Sequence, residues 1–258
     1  MSDYLAELDA AIEAARAAAR IHVRFQGEQL VRNTKSNARD LVTRVDLESE
    51  ARIKELLLGA FPNDGFEGEE TEAVAGDGRQ WIVDPLDGTV NYVHGMPAYA
   101  VSIALAVDGE LVLGVILDSA KGDLFTAVQG GGAWMNGARI RVSGCPSLDQ
   151  AMVATGFAYK PEERAENLEL FTRVLPLARC VRRPGAAALD LAYVAAGRLD
   201  GFWELHLSPW DVAAGTVLVR EAGGTVTSGA RPFDLRDPLI VASNGPVHAG
   251  LVRALQGS

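Results

Sequence analysis

A chain of 258 residues with 48% hydrophobic content is long enough for one large domain, or two modest ones sharing an interface, and can fill a substantial core. Its 34 acidic against 24 basic residues leave a net charge of -10, which opposes DNA or RNA at long range and argues against nucleic acid as the primary ligand. The opening MSDYLAELDA carries acids where a secretory leader needs a basic start, and no run is apolar enough to span a bilayer, so a cytoplasmic protein without membrane contact is expected. Cys145 and Cys180 lack C-x-x-C spacing and read as packing residues.

Residues 3–26 place Leu5, Leu8, Ile12, Ala15 and Ala19 at helical intervals, predicting an amphipathic helix. A second helix follows DLVTRVD, with Leu47, Ala51, Ile53, Leu56 and Leu57 as its apolar side, and breaks among Gly59, Pro62 and Gly65. DGFEGEE then leads into a loop. From Tyr99 the runs YAVSIALAV, ELVLGVIL and DLFTAV are β-type, and Asp108-Gly109 and Lys121-Gly122 between them predict an antiparallel meander. After GGGAWMNGARIRVS the signals alternate: AMVATGF as strand, 162–178 as helix, GAAALDLAYVAAG as helix, GFWEL as strand, WDVAAGTVLVREAGG as helix and LIVAS as a buried strand. A division near residue 143 follows, with an N-terminal α+β half (1–143) and a C-terminal α/β half (144–258).

Chemistry concentrates in QWIVDPLDGTVNY, residues 80–92. Pro85 pushes Asp84 toward extended backbone, placing it at a strand's carboxyl end, and Gly88 permits a sharp turn. If Thr89 opens a short helix, its free N–H groups face the same pocket as Asp84 and Asp87. Two bare charges about 4 Å apart repel by about 4 kcal/mol at an effective dielectric near 20, so such a pocket wants a cation. An isolated D-x-x-D favours the plainer alternative, Asp87 as helix cap and Asp84 solvated. Glu69 and Glu70 upstream, and Asp211 after Pro209-Trp210, add acids, although a Glu pair in a loop is commonly surface and an Asp before an alanine-rich helix commonly caps it.

Taken together, WIVDPLDGTVNYVHGMP, WDVAAGTVLVREAGG, the GEE upstream of them and KSNARDLVTRVD further upstream resemble the inositol monophosphatase family, the Mg²⁺-dependent, lithium-sensitive sugar-phosphate phosphatases, in the family's order and over essentially the whole chain. The resemblance implies an α+β fold, a layered αβαβα sandwich with the active site between its halves. It implies that Glu69, Asp84 and the Leu86 carbonyl hold one Mg²⁺, that Asp84, Asp87 and Asp211 hold a second, and that a weaker third leans on Glu69. Oxygen ligands suit hard Mg²⁺. Thr89 and Asp46 would form a hydrogen-bonded pair that activates the attacking water, with Glu69 orienting it and Lys35 nearby. Taken alone, Asp46 reads as a helix cap completed by Glu48 or Ser49.

By the same resemblance the phosphate rests on the N–H groups of Gly88 and Thr89, and the polyol hydroxyls meet Asp87, Gly185, Ala186, Ala187, Glu204 and Asp211. Many relatives carry Thr or Ser where this chain has Ala186, which weakens an expectation of strict inositol specificity. Arg182 and Arg183 read as solvated or interface residues. His22, His94, His206 and His248 show no ligand spacing and read as structural. The expected reaction is hydrolysis of a small-molecule phosphate monoester, inositol 1-phosphate first, with histidinol phosphate and fructose 1,6-bisphosphate as rivals. A 3'-phosphoadenosine substrate is disfavoured by the lack of an insertion between the two signatures. The resemblance also implies a homodimer, and it allows a different class of role, as a binding partner in transcription or ribosome assembly.

Overall fold

The computed structural model describes residues 4–27, 33–34 and 41–257. Lys35 and the rest of KSNARD, residues 35–40, lie outside them. The first half runs α1 (Leu5–Phe25), the two-residue pair β1 (Asn33–Thr34) and β2 (Leu41–Val42), α2 (Arg44–Ala60), β3 (Gly65–Gly68), β4 (Arg79–Asp87), α3 (Thr89–Val93), β5 (Ala100–Val107), β6 (Glu110–Asp118), β7 (Asp123–Val128), β8 (Gly132–Met135) and β9 (Ala138–Ile140). After a turn of 3-10 helix, Leu148–Gln150, follow β10 (Met152–Thr155), α4 (Pro161–Val174), β11 (Cys180–Arg182), α5 (Ala187–Ala195), β12 (Gly201–Leu205), α6 (Pro209–Glu221), β13 (Thr225–Ser228), β14 (Arg231–Pro232), β15 (Leu239–Ser243) and α7 (His248–Gln256).

Strands β3 to β9 form a 7-stranded sheet in chain order, parallel at β3–β4 and antiparallel elsewhere. The 6-stranded sheet has the order β11-β10-β12-β15-β13-β14. Alternation along each strand sends successive side chains to opposite layers. Trp81, Val83, Val101, Ile103 and Leu105 pack beneath α1 and α2, whereas Ile82, Ala100 and Ala104 face α5 and α6. In the second sheet Phe202, Ile240 and Ala242 face those same two helices, and Trp203 and Val241 turn to α4 and α7. The result is the expected αβαβα sandwich, an α+β fold with α5 and α6 at its centre. Every residue of α6 from Val212 to Val219 is buried, because a helix between two sheets has no solvent face.

Several sequence expectations need correction. On α1 the buried stripe is Ala11, Ala14, Ala15 and Ala18, and Leu5 is exposed. On α2 the buried face holds Val45, Asp46, Ser49, Glu50, Ile53 and Leu57, and Leu47 is exposed. Ile53 and Leu57 are buried as apolar spacing predicts, and the first turns differ because their buried face carries the polar groups Asp46, Ser49 and Glu50. Gly65–Gly68, expected to lead into a loop, is a strand whose parallel pairing with β4 is long-range. The short strands β8, β9, β11, β13 and β14 and the helix α7 are further elements of the structure beyond those that periodicity predicts.

Small residues set the layer spacing. A Cβ built on Gly114 of β6 would lie 2.4 Å from the backbone carbonyl oxygen of Ala214 in α6. Backbone cannot rotate away as a side chain can, so Gly114→Ala should cost about 1–3 kcal/mol through overpacking. Urea unfolding should show this as a lower midpoint with an unchanged slope; a midpoint equal to that of the unmutated protein would refute the close approach.

Candidate active site

Strand β4 does not end at Asp84; it continues to Asp87 through a bulge. Asp84 pairs with Ser102 and Asp87 with Ala100, so three steps on β4 oppose two on β5. The extra residue bends the strand and brings both carboxylates to the same pocket. Asp84 Oδ1 accepts the Leu86 N–H at 2.9 Å, folding the carboxylate back over its own bulge. Gly88 follows with φ +85°, and a Cβ there would meet the Ala98 carbonyl oxygen at 2.7 Å, so the turn into α3 requires glycine.

Asp87 does cap a helix, but not the one that follows it. Gly88 takes the N-cap place of α3, and Asp87 Oδ2 accepts the Ala188 N–H of α5 at 2.9 Å, 101 residues away. The N-cap residue of α5 is Ala186, whose methyl group cannot accept, so the carboxylate from the other sheet serves instead. Asn91 of α3 adds a second tie, donating to the carbonyl oxygens of Pro184 at 2.9 Å and Gly185 at 3.2 Å.

Asp46 and Asp211 hold equivalent positions. Each is the third residue of its helix, closing a capping box on Thr43 of α2 or Ser208 of α6. Neither Glu48 nor Ser49 completes the cap at Asp46, and Asp211 stands three residues inside its helix, not at the cap position. Asp46 Oδ2 accepts the Thr43 N–H at 2.8 Å, which leaves Oδ1 to accept the Thr89 hydroxyl at 3.0 Å. The cap and the functional pair are therefore the same carboxylate. Asp211 Oδ2 accepts the Ser208 N–H at 2.7 Å, and its charge acts on Asp84. The loop carrying Glu69 is anchored by Glu50 of α2, whose Oε2 accepts the Glu70 N–H at 2.7 Å.

Glu69, Asp84, Asp87 and Asp211 interact electrostatically within one pocket. Burial, reinforced by the negative charge of Glu69, holds Asp84 and Asp211 well above the ordinary carboxylate range. Burial also lifts Asp87 to about 7, against the pull of the Ala188 N–H. Carboxylates this close relieve their repulsion by sharing protons or by holding a cation. Among the described residues no three such side chains already converge as a finished metal cage. The donor set nevertheless fits hard divalent ions: it is all oxygen, buried and in excess negative charge. The Leu86 carbonyl, which accepts the Thr89 hydroxyl at 3.1 Å, adds a neutral oxygen.

The pocket opens into a cavity of about 390 Å³ whose walls bring together Gly88, Gly185, Ala186, Ala187 and Glu204 with Glu69, Asp87 and Asp211. Every site residue named from the sequence thus lies in or directly behind one cleft, apart from Lys35. Glu204 is pushed up to about 8 by burial and by Asp211, with Arg183 opposing. Arg183, expected to be a solvated or interface residue, lines this cavity. Asp190 of α5 escaped the sequence reading. It is buried, its Oδ1 has no hydrogen-bond partner, and burial together with Glu204 raises its pKa well above the usual range. An acid between two leucines in a helix apolar on all sides was the signal available for it.

A profile of the inositol monophosphatase family matches residues 4–258. The inositol-1-monophosphatase of Mesorhizobium japonicum is 43% identical, the match covering 96% of this chain and 96% of that protein. Nus factor SuhB of Pseudomonas aeruginosa is 42% identical, covering 96% and 95%. Among solved structures, the extragenic suppressor protein suhB of Bartonella henselae superposes with a TM-score of 0.93 at 43% identity, covering 97% of this chain and 98% of that one. The inositol monophosphatase of Anabaena (Nostoc) sp. PCC 7120 gives 0.90 at 39%, covering 99% and 97%. Fold and site thus define a phosphatase, a phosphoric monoester hydrolase. The chain belongs to the inositol monophosphatase family.

A pH dependence follows from the acid cluster. Groups whose folded pKa is raised favour the protonated fold, so their stabilisation is complete below the unfolded carboxylate range near pH 4. It is lost as pH rises toward about 7 for Asp87 and about 8 for Glu204. Over that window the EDTA-treated protein should lose this contribution, and a divalent cation held by the acids would offset it. The gap in Tm between protein with an added divalent cation and EDTA-treated protein should therefore widen from pH 5 to pH 8 in a thermal-shift series, and a pH-independent gap would contradict the coupling.

Proposed function

We propose that the chain is a Mg²⁺-dependent phosphatase of small polyol phosphates, with inositol 1-phosphate as its first substrate. The observation that carries this reading is a set of four interacting acids from three separate parts of the chain, with Glu69, Asp87 and Asp211 lining one cavity and Asp84 buried beside them. In it Glu69, Asp84 and the Leu86 carbonyl would hold one Mg²⁺, and Asp84, Asp87 and Asp211 a second, at a cleft between the halves 1–143 and 144–258. When bound, the ions neutralise phosphate charge and make water acidic enough to attack at neutral pH.

The chain's own groups supply the rest. When the Thr89 hydroxyl donates to Asp46, its oxygen lone pairs are free to accept a proton from the attacking water, and Asp46 is placed to receive one in turn. Glu69 would orient that water. As the water oxygen forms the new P–O bond, the ester P–O bond breaks and the alkoxide leaves with a proton from solvent. The N–H groups of Gly88 and Thr89, at the turn into α3, would receive phosphate oxygens. Glu204, with Gly185, Ala186 and Ala187 beside it, would read the polyol hydroxyls. Because Ala186 carries no hydroxyl, a range of polyol phosphates is expected to be accepted, including histidinol phosphate or fructose 1,6-bisphosphate at lower efficiency.

The names of the SuhB relatives favour a second reading, a binding role in transcription. A homodimer is expected from the family resemblance, and sedimentation would test it. Asp87→Asn and Asp211→Asn should each lower kcat by at least about 100-fold while circular dichroism stays that of the unmutated protein. A phosphate-release assay over a panel of sugar phosphates, with and without Mg²⁺ and Li⁺, checks this. Near-normal turnover in both variants would remove the metal reading, and silence of the unmutated protein across the panel would favour the binding role.

A further inference from the structure

Helix α1 is built on alanine where it meets its neighbours, with Ala11, Ala14, Ala15, Ala17 and Ala18 all buried. One turn further, at the same depth, stands His22, fully buried. Its Nε2 lies 3.1 Å from the Pro85 carbonyl oxygen and its Nδ1 lies 2.9 Å from Ser119 Oγ. A carbonyl oxygen only accepts, so Nε2 carries the proton, and Nδ1 then accepts from the Ser119 hydroxyl. Burial lowers the His22 pKa to about 4, consistent with one neutral tautomer. The helix end is itself held, because the Tyr92 hydroxyl donates to the His22 carbonyl oxygen at 2.7 Å. The imidazole also packs against the rings of Tyr92 and Tyr99, at centroid distances of 5.9 and 6.2 Å.

Pro85 is the residue between Asp84 and Leu86, inside the bulge where β4 and β5 fall out of register. Its carbonyl lies in the stretch that the ladder to β5 skips, so another donor must satisfy it. The Pro85 carbonyl and the Leu86 N–H belong to one planar peptide. Holding the Pro85 oxygen toward α1 therefore fixes the N–H that Asp84 Oδ1 accepts at 2.9 Å and, at the next peptide, steadies the Leu86 oxygen, which the Thr89 hydroxyl meets at 3.1 Å. The Leu86 side chain is buried in the same cluster as Tyr92 and Tyr99, which fixes the peptide from its other end.

We infer that His22 is a positioning residue for the cation site, its Nε2–H holding the Pro85 carbonyl so that the bulge presents the Asp84 carboxylate and the Leu86 carbonyl together. The inference rests on the metal reading given above. Loss of a hydrogen bond that orients metal-binding groups typically weakens metal affinity about 10- to 100-fold. His22 acts through the backbone, so affinity should suffer more than kcat at saturating metal.

The test is Mn²⁺ binding followed by electron spin resonance of the free ion, beside kcat measured against Mg²⁺ concentration. Gln places an amide nitrogen where the imidazole has Nε2, whereas Asn reaches only to the Nδ1 position. His22→Leu and His22→Asn should therefore bind Mn²⁺ at least about 10-fold more weakly, and His22→Gln should stay within about 3-fold of the unmutated protein, with kcat at saturating Mg²⁺ similar in all. Should His22→Leu fail to fold, the Asn and Gln pair decides. Equal affinity in His22→Asn and the unmutated protein, or a loss in His22→Gln as large as in His22→Asn, would overturn the role of His22. Failure of the unmutated protein to bind Mn²⁺ would instead overturn the metal reading, and this inference with it.

Discussion

Acids that repel one another are kept in one pocket because Asp84, Asp87 and Asp211 each also accept a backbone hydrogen bond. Asp46 and Asp211 close capping boxes on α2 and α6, Asp84 accepts from its own bulge at Leu86, and Asp87 caps α5 from across the cleft. A hydrogen bond to a charged acceptor is worth about 1.5–3 kcal/mol, and one close pair of charges costs about 4 kcal/mol at an effective dielectric near 20. The local bonds thus offset much of a single repulsion but not the sum over the cluster. A cluster left short in this way binds protons or cations, and the raised pKa values of Asp84 and Asp211 reflect burial first and this repulsion second.

The division of oxygens also settles geometry. A carboxylate with one oxygen on a backbone N–H cannot turn freely, so its other oxygen is aimed without further support. Asp46 shows this most directly, with Oδ2 on Thr43 and Oδ1 on Thr89. The choice between cap and catalytic group, sharp in the sequence, dissolves in the structure because the capping bond is what aims the functional oxygen. Asp87 extends the same logic across the molecule: the bond that satisfies α5 also ties the first sheet to the second at the mouth of the cleft.

Packing supplies the rigid frame. α5 and α6 are pressed between two sheets through alanine and glycine faces, and both present their first turns to the cavity. A cleft between two sheets needs a fixed separation, and small side chains set it more tightly than long ones, which can change rotamer.

What the sequence by itself determined was local: the helical rhythm of the N-terminus, the Asp-Gly and Lys-Gly hairpins of the meander, the turn at Gly88 and the short helix from Thr89. The motif resemblance supplied the layered fold and the acid set, because residues that do chemistry stand in fixed order even when they are far apart. Tertiary structure alone decided which helix Asp87 caps, which face of α2 is buried, that Gly65–Gly68 is a strand, and that His22, Arg183 and Asp190 stand behind or beside the site. Each of these depends on a partner distant in the chain, such as Ala188 for Asp87 or Pro85 for His22. Periodicity records how a residue relates to its neighbours in sequence, whereas a buried polar group is placed by the one distant atom that satisfies its hydrogen bond, and that atom leaves no trace in local spacing.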